Sequence, residues 1–515
     1  MIRVARLSIA PVRSLGLLHP EMIDLTEAGV TEDRRFFLVD GHGRFVDRLI
    51  AGALVRVGAW TDPEARRLRL AFPDGSVIDG PVELGEPIEV RIHTRWATGH
   101  VVVGPWAAAL EPFAGRAVRM FGYGSLAVIL AIYLSAAGFD APSIGLLLSL
   151  TLVGDTVVSL WLTTHADRIG RRRTLVIGGL LMAAAGIVFA STTVFAILLL
   201  AATIGVLSPS GNEVGPFLAV EQASLSEVIP DRRRTFVFAW YNLVGSVATA
   251  LGALATGLAV GTLRAGGLAE LDADRAVILA YTAIGAALVA IFAFVSPAVE
   301  VEARDVSIAG RLGLHRSRGV VLRLAALFSL DAFAGGMVMQ SLLALWFHER
   351  FGVPEAALGA IFFGANILAA VSALAASRLA ARFGLINTMV FTHLPSNVLL
   401  ILVPLMPVLP LAVVVLLARF SISQMDVPTR QSYTIAVVEP DERSAAAGVT
   451  GIARTIGAAV GPLIAAPLYG MAALAAVPFF LGGGLKIAYD VLLWRAFKAR
   501  PAPGEPSRSS PASRG

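Results

Sequence analysis

The chain has 515 residues, of which 56% are hydrophobic and only 15% are charged, and its mean hydropathy is +0.73. Soluble domains carry about 25% charged residues, so this composition excludes a soluble protein of this length and indicates one that crosses a membrane many times. The formal net charge is +5, but most of the arginines lie in short loops between apolar runs, as membrane topology requires. We therefore expect no nucleic-acid partner. The absence of cysteine excludes disulfides, cysteine-ligated metals and thiol catalysis.

Residues 1–117 differ from the rest of the chain. Short segments of alternating apolar and polar residues are separated by turn signals such as Asp40-Gly41-His42-Gly43 and Pro73-Asp74-Gly75. The segments lie at residues 3–9, 35–39, 54–60, 67–72 and 88–92. This pattern predicts a small all-β domain, either a barrel or a sandwich.

Three stretches of this region resemble a known family. They are Pro11-Val12-Arg13-Ser14-Leu15, the run from Leu25 to Phe36, and Asp40 to Phe45. They look like the N-terminal β-barrel of MOSC-domain proteins, which include molybdenum-cofactor enzymes. The resemblance stops near Arg116, before the rest of the cofactor-binding domain, and the cysteine with which the family binds metal has no counterpart. We therefore expect no cofactor and no metal.

From Val118 onward the chain consists of apolar runs, each close to the ~20 residues that a helix needs to cross a bilayer. About twelve transmembrane helices are predicted. They begin near residues 118, 144, 175, 194, 236, 276, 320, 356, 386, 410, 444 and 472.

The distribution of arginine predicts the orientation. The loop after the second helix contains Arg168 and Arg171 to Arg173, and cytoplasmic loops carry the excess of basic residues. With this loop in the cytoplasm, the alternate loops are also basic, and the opposite loops contain little beyond Arg264, Arg275 and Arg350. We expect a multi-pass protein of the plasma (inner) membrane whose N-terminal barrel and C-terminal tail are cytoplasmic.

The helical region contains an internal repeat. The segment Gly138 to Gly145 is echoed by Gly352 to Gly359, and Ala166 to Gly170 is echoed by Ala380 to Gly384 at the same separation. Two six-helix halves at residues 118–298 and 320–497 are predicted. A cytoplasmic linker at 299–319 joins them, and a Pro-, Ser- and Arg-rich tail at 498–515 is expected to be disordered.

The loop Ala166-Asp167-Arg168-Ile169-Gly170-Arg171-Arg172-Arg173, in its place after the second helix, resembles the signature loop of the major facilitator superfamily. The resemblance implies a gating motif made of Asp167, Arg168, Gly170, Arg171 and Arg172. In that family the aspartate closes the cytoplasmic side against the start of the eleventh helix, here near Ser444. The alternative is a loop carboxylate that pairs with the neighbouring arginines.

Two carboxylates lie in the middle of predicted helices, Asp155 in the second and Asp331 in the seventh. A charge at that depth costs roughly 2.5 to 3.5 kcal/mol on insertion scales, so it marks a wet cavity or a partner. Either residue is a candidate for binding a transported proton, and a structural hydrogen bond is the alternative.

Polar residues in broken segments and near helix starts complete the candidates. Glu213 and Asp426 lie in Gly- or Pro-containing polar segments of the two halves, the kind of place where transporters bind ligands. Glu221 and Arg430, in the same segments, are assigned instead to the membrane interface. The first and fifth helices usually line the cavity in the superfamily, which implies ligand contacts for Arg119, Tyr123, Tyr241 and Asn242. Residence at the membrane interface is the alternative for these four.

We conclude from the sequence that the chain is a secondary active transporter of a small solute, working by alternating access in a lipid bilayer as a monomer, and that it is not an enzyme. Coupling to protons is left open. No Walker A loop is present, which argues against an ATP-driven pump. Two alternatives remain: a membrane-anchored MOSC-like accessory or enzyme domain, and a fusion in which the barrel is idle.

Overall fold

The computed structural model describes segments of residues 9–103, and then residues 111–213, 215–218, 220–222, 231–293, 315–439 and 442–498. Within these helices the side chains of residues 111–114, 167–168, 231–239 and 444 are not among those described. Most of the predicted linker and nearly all of the predicted tail lie outside the described residues. The chain divides into a strand-rich unit, which contains the residues up to Ala114, and a helical unit that begins at Gly115.

The strand-rich unit confirms the predicted all-β region. Its nine described strands form four antiparallel sheets, of which the β5-β6-β7 sheet and the β8-β9 ribbon are the largest. Alternation in Arg67-Leu68-Arg69-Leu70 turns the leucines of β6 inward, where Leu68 packs with Val12, Leu15, Val57 and Ala59. The strands are β1 (Leu25–Thr26), β2 (Gly29–Val30), β3 (Leu38–Val39), β4 (Phe45–Val46), β5 (Gly58–Thr61), β6 (Arg67–Ala71), β7 (Val77–Pro81), β8 (Glu83–Ile92) and β9 (Arg95–Val103).

The helical unit contains eleven helical segments long and apolar enough to cross a membrane, together with one shorter apolar helix, Phe195–Ile204, among the residues described. The predicted set of about twelve is therefore confirmed. The helices of the first half are α1 (Glu111–Ala136), α2 (Ala141–Ile169), α3 (Arg171–Ser191), α4 (Phe195–Ile204), α5 (Asp231–Ala265) and α6 (Glu270–Ala293). Those of the second half are α7 (Arg318–Met337), α8 (Gln340–Phe351), α9 (Glu355–Phe383), α10 (Leu385–Leu402), α11 (Leu409–Ser423), α12 (Asp426–Ala436), α13 (Arg443–Tyr469) and α14 (Val477–Phe497).

The fourth and tenth spans are interrupted, as the two polar segments predicted. Helix α4 is only 10 residues long, and the described residues between Gly205 and Pro216 that follow it are not helical. The tenth span is two helices, because a turn at Gln424 and Met425 separates α11 from α12. These breaks place polar backbone and side chains within membrane-spanning segments. Proteins tolerate such breaks only where the polar groups are buried in protein or line a water-filled cavity.

Two one-residue turns show the repeat directly. Gly170 joins α2 to α3 with φ of 99°, and Gly384 joins α9 to α10 with φ of 83°. Residues with a Cβ rarely adopt such angles, so glycine is required at both turns. We call the end of the helical unit where Gly170 lies the motif end, and the end where Asp140 starts α2 the far end.

A buried carboxylate ties the starts of α7 and α13 together at the motif end. Glu442, which is fully buried, accepts hydrogen bonds from the backbone N–H groups of His315, Arg316 and Ser317, the last two at 2.8 Å. These groups precede the first turn of α7, where the helix dipole also favours a negative charge. The hydrogen bonds lower the pKa of Glu442 to about 2.

We expect Glu442→Gln to lower the melting temperature of the purified protein at pH 7, because the amide cannot accept charge-assisted bonds from these N–H groups. A lowered pKa stabilises the fold above the unfolded value of about 4.3, and that stabilisation disappears as the pH falls toward 2. The difference in melting temperature between the two proteins should therefore shrink between pH 5 and pH 3. A difference that stays constant over this range would contradict the assignment.

Candidate functional site

The gating motif is only partly described. Arg171 is buried, and Arg172 donates a hydrogen bond to the carbonyl oxygen of Ala293 at the end of α6. The side chains of Asp167 and Arg168 lie outside those that the structure describes. Closure by Asp167 against the start of α13 therefore stays a prediction.

Two arginines and one glutamate form two ion pairs inside the first half. Arg116 Nη1 lies 2.7 Å from Glu213 Oε2, and Arg119 Nε lies 2.6 Å from Glu213 Oε1. Arg116 Nη2 also donates to Oδ1 of Asn242 at 3.3 Å. Both arginines are buried, and they stand one turn apart on α1 so that they reach the same carboxylate in the broken segment after α4.

Aromatic rings cover these guanidinium groups. The Arg116 guanidinium lies 4.2 Å from the ring centre of Tyr241, and the Arg119 guanidinium lies 4.5 Å from that of Phe217. Such contacts stabilise a desolvated cation. Tyr123, one turn beyond Arg119, is fully buried. Glu213, Arg119, Tyr241 and Asn242 were predicted separately, and the structure brings them together. Whether they contact a solute stays a prediction.

Asp155 lies in the same half without a cationic partner among the described residues. Its Oδ1 accepts a hydrogen bond from the backbone N–H of Gly215 at 2.7 Å and one from the hydroxyl of Ser159 at 3.2 Å. The residue is buried. Burial of a carboxylate without a counter-ion is costly, and taking up a proton removes the cost.

A larger ionic network occupies the second half. Asp331 accepts from Lys486 Nζ at 2.6 Å through Oδ1 and from Arg430 Nη1 at 3.0 Å through Oδ2. Arg430 also lies 3.1 Å from Asp426, one turn earlier on α12. All four side chains are buried, so the ion pairs compensate charges that would otherwise be very costly.

A histidine extends the network from α10 to α14. His393 Nδ1 lies 2.9 Å from Asp490 Oδ1, and the other oxygen of Asp490 accepts from Asn397 Nδ2 at 2.9 Å. His393 Nε2 lies 3.8 Å from Asp331, which connects the two groups. The buried charge cluster, as we name it, consists of Asp331, His393, Asp426, Arg430, Lys486 and Asp490.

Half of this cluster was not predicted from the sequence. Lys486, His393 and Asp490 lie within apolar spans, and the presence of ionisable residues there was the signal that would have found them. The assignment of Arg430 and Glu221 to the depth of the membrane interface stays a prediction. Arg430 is 4% exposed and Glu221 is 2% exposed, because both side chains are enclosed by protein.

A second ion pair joins the two halves at the far end. Arg264, near the end of α5, donates to both carboxylate oxygens of Glu355 at the start of α9, at 3.0 and 2.8 Å. It also lies 3.3 Å from Glu270. Potential ligand atoms of Glu270, His348 and Glu355 lie within 4.8 Å of one another, but the guanidinium of Arg264 already contacts two of the three groups.

The helices of the two halves pack tightly beside this ion pair. A Cβ placed on Gly257 of α5 would lie 2.7 Å from the carbonyl oxygen of Glu355 and 2.9 Å from Cα of Gly359. One placed on Gly145 of α2 would lie 2.7 Å from the carbonyl oxygen of Pro462 and 2.9 Å from Cβ of Ala466. The far end is therefore closed by backbone contacts that only small residues allow.

Nearer the motif end, two glycines of α13 have no close neighbour among the described atoms. Gly448 lies about five turns before Ala466 on α13, at ~3.6 residues per turn. Ala466 packs on α2, whereas a Cβ placed on Gly448 would meet no described atom within 4 Å. The same is true of Gly451. Two bonds between the halves lie away from the motif end, the Arg264–Glu355 pair and the hydrogen bond from Ser341 N–H to the carbonyl of Pro209.

Comparison with known proteins agrees with this architecture. The sequence profile of the Major Facilitator Superfamily matches residues 113–462, and that of the MOSC N-terminal beta barrel domain matches residues 1–99. The uncharacterized membrane protein YJR124C of Saccharomyces cerevisiae is 30% identical over 407 residues, covering 73% of this chain and 91% of the relative.

Two solved transporter structures share the helical fold. The nucleoside transporter NupG matches with a TM-score of 0.61 at 14% identity and covers 76% of this chain and 99% of its own. The D-xylose-proton symporter matches with a TM-score of 0.58 at 13% identity and covers 75% and 97% respectively. Identities this low establish the fold alone. The family profile matches over two thirds of the chain, and the chain therefore belongs to the Major Facilitator Superfamily, a family of multi-pass membrane transporters. In this chain a MOSC-type β domain precedes the helical region.

Proposed function

We propose that this protein is a secondary active transporter, which moves a small solute through the space between its two helical halves by alternating access. The observation that carries the proposal is the shape of that space. The halves touch through Gly257, Gly145 and the Arg264–Glu355 pair at the far end, whereas a Cβ on Gly448 or Gly451 of α13, nearer the motif end, would meet no described atom within 4 Å. With the halves arranged in this way, a solute would enter or leave the space between them from the motif end.

We further propose that the motif end faces the cytoplasm. Basic residues are concentrated there, because the turns and helix ends near Gly170 and Gly384 carry Arg171, Arg172, Arg173 and Arg382. The positive-inside rule favours this orientation. The far end, with Glu270, Asp272 and Glu355, carries carboxylates as well as Arg264.

Of the two carboxylates predicted to bind a proton, the geometry favours Asp155. Both oxygens of Asp331 are taken by Lys486 and Arg430 at 3.0 Å or less, and these cations compete with a proton for the same atoms. Among the described residues, Asp155 accepts only from a backbone N–H and a hydroxyl. We propose that Asp155 takes up and releases the coupled proton, and that Asp331 holds the second half together.

We expect Asp155→Asn to abolish uptake driven by an imposed pH gradient while leaving solute exchange across the membrane in place. The amide oxygen still accepts the Gly215 N–H, so the fold is preserved, but the side chain no longer binds a proton. The measurement is flux of a broad panel of labelled solutes into proteoliposomes, with and without the gradient. Because no proton then accompanies the solute, the pH gradient should add nothing to uptake by the variant.

Ser159→Ala is the matched control, because it removes one hydrogen bond to Asp155 and keeps the carboxylate. It should retain most of the gradient-driven uptake. Undiminished gradient-driven uptake in Asp155→Asn would rule out Asp155 as the coupling group. An absence of flux for every solute, in protein shown to be folded, would favour the membrane-anchored MOSC-like reading over transport.

A further inference from the structure

Two arginines in the second half have no counter-ion among the described residues. Arg419 on α11 and Arg454 on α13 form no hydrogen bond and no ion pair with any residue in the described part of the chain, and although each side chain is only half-buried, its Nε atom is enclosed without a partner. Enclosing part of a guanidinium group without a partner is costly. A protein can keep such a group where a bound ligand supplies the missing counter-charge.

The carboxylates near these arginines are already committed to other groups. Asp331 is held by Lys486 and Arg430, and Asp426 pairs with Arg430. Asp490 is bonded to His393 and Asn397. The three carboxylates of the buried charge cluster therefore face four permanent cations, which leaves at least one positive charge uncompensated. The four cations are Arg419, Arg430, Arg454 and Lys486.

Both arginines lie within the electrostatic range of the cluster. Asp331 and Asp426 lie near enough for their charges to act on both arginines, and Arg430 brings a like charge near Arg454. The guanidinium groups of Arg430 and Arg454 repel each other unless an anion lies close to both. Arg454 also follows Gly451 by one turn, and a Cβ placed on Gly451 would meet no described atom within 4 Å. A ligand in the space between the halves can therefore approach it.

We propose that the transported solute is a small organic anion, whose carboxylate or phosphate group is bound by Arg454 and Arg419 beside the buried charge cluster. This inference rests on the proposed transport function and names its substrate class. Guanidinium groups present a planar set of donors that matches carboxylate and phosphate oxygens in pairs. A neutral or cationic solute would leave both arginines without a counter-charge, and a cation would add to the repulsion.

The test is equilibrium binding to the full-length protein in an uncharged detergent, measured as a shift in melting temperature at constant ionic strength. The probes are benzoate, succinate and glucose 6-phosphate, each paired with its uncharged counterpart, benzamide, succinamide or glucose. We expect at least one anion to stabilise the protein in a saturable manner and its counterpart to have no effect. In Arg454→Gln the affinity for that anion should fall by roughly 10- to 100-fold.

Two matched variants separate binding from folding. Arg454→Lys keeps the charge and should recover part of the lost affinity. Arg443→Gln makes the same change at an exposed arginine on the same helix and should bind like the unaltered protein. Equal stabilisation by an anion and its neutral counterpart, unchanged affinity in Arg454→Gln, or no stabilisation by any of the three anions would each overturn the proposal.

An anionic lipid headgroup offers the same chemistry, so a lipid arm is included. If phosphatidylglycerol added to phosphatidylcholine bilayers stabilises the protein through Arg454 and the soluble anions do not, the arginines bind lipid and the substrate assignment fails. Binding of a soluble anion without any flux would instead contradict the transport function and leave the anion site standing. Flux of an uncharged solute without anion binding would contradict the anion site alone.

Discussion

A disulfide between cysteines at Gly261→Cys and Ala356→Cys is expected to stop transport completely and reversibly. Gly261 lies on α5 of the first half and Ala356 on α9 of the second, beside the Arg264–Glu355 ion pair. A Cβ at Gly261 would lie 3.1 Å from Cβ of Ala356. Disulfides join Cβ atoms at about 3.5 to 4.5 Å, so a shift of a few tenths of an ångström is enough to form the bond.

The expectation follows from the two states that alternating access requires. The cross-link holds the far end in its closed arrangement, and a transporter confined to one of two states completes no cycle. Flux in proteoliposomes should fall to the level of empty vesicles after oxidation and return after treatment with a reductant. The natural chain contains no cysteine, so the introduced pair is the sole source of thiols.

A disulfide in the strand-rich unit serves as the control. Gly58 and Ala71 are register partners on β5 and β6, and a Cβ on Gly58 would lie 3.8 Å from that of Ala71. Gly58→Cys with Ala71→Cys should cross-link under the same conditions and leave flux unchanged. If the cross-link between α5 and α9 forms fully and flux continues, the far end does not open during transport and the proposed cycle is incorrect.

Asp331→Asn is expected to be the most destabilising single change in the second half. The substitution leaves Lys486 and Arg430 buried with less compensating charge, and breaking a buried ion pair in this way costs about 3 to 5 kcal/mol. Unfolding of the purified protein by heat or denaturant in detergent measures the loss. Asp272→Asn is the matched control, because Asp272 is an exposed carboxylate near the start of α6 whose one ion pair among the described residues is with Arg275 at 3.3 Å. It should change stability by no more than about 0.5 kcal/mol.

The double variant Asp331→Asn with Lys486→Met tests the cause of the loss. It removes one charge of each sign, and the remaining Arg430 keeps its partner Asp426 at 3.1 Å. We expect the double variant to regain part of the stability lost in Asp331→Asn alone. A double variant whose stability falls by the sum of the two single changes would show that the ion pair contributes nothing through its charges.

The spans, the repeat and the signature loop could be predicted because they depend on local features of the sequence. The length of an apolar run and the position of Gly170 need no knowledge of the fold, and the predicted helix starts mostly lie within a few residues of those found. The fourth span is the clearest exception, since hydropathy alone does not distinguish a full crossing from the 10-residue helix of α4 followed by irregular chain. The last span was predicted from residue 472 but its helix begins at Val477, because turns occupy the residues between.

Partnerships between side chains could not be predicted, because they depend on packing between distant parts of the chain. The position of Asp331 in the middle of an apolar span identified it as unusual. That position did not reveal that Lys486 and Arg430 compensate its charge. Similarly, Arg119 and Glu213 were chosen for separate reasons, and the contribution of Arg116 was missed because it lies at the boundary of the first span. The uncompensated charge of Arg419 and Arg454 becomes visible only when the partners of every neighbouring carboxylate are known.

The one-residue turns at Gly170 and Gly384 have a mechanical consequence. A single residue spans at most about 3.6 Å, so the end of α2 cannot move away from the start of α3, nor the end of α9 from the start of α10. Each pair of helices is therefore held together at the motif end. Any displacement of the motif end must then carry both helices of a pair together, and the widening of the passage is shared between two coupled walls instead of being left to one flexible helix.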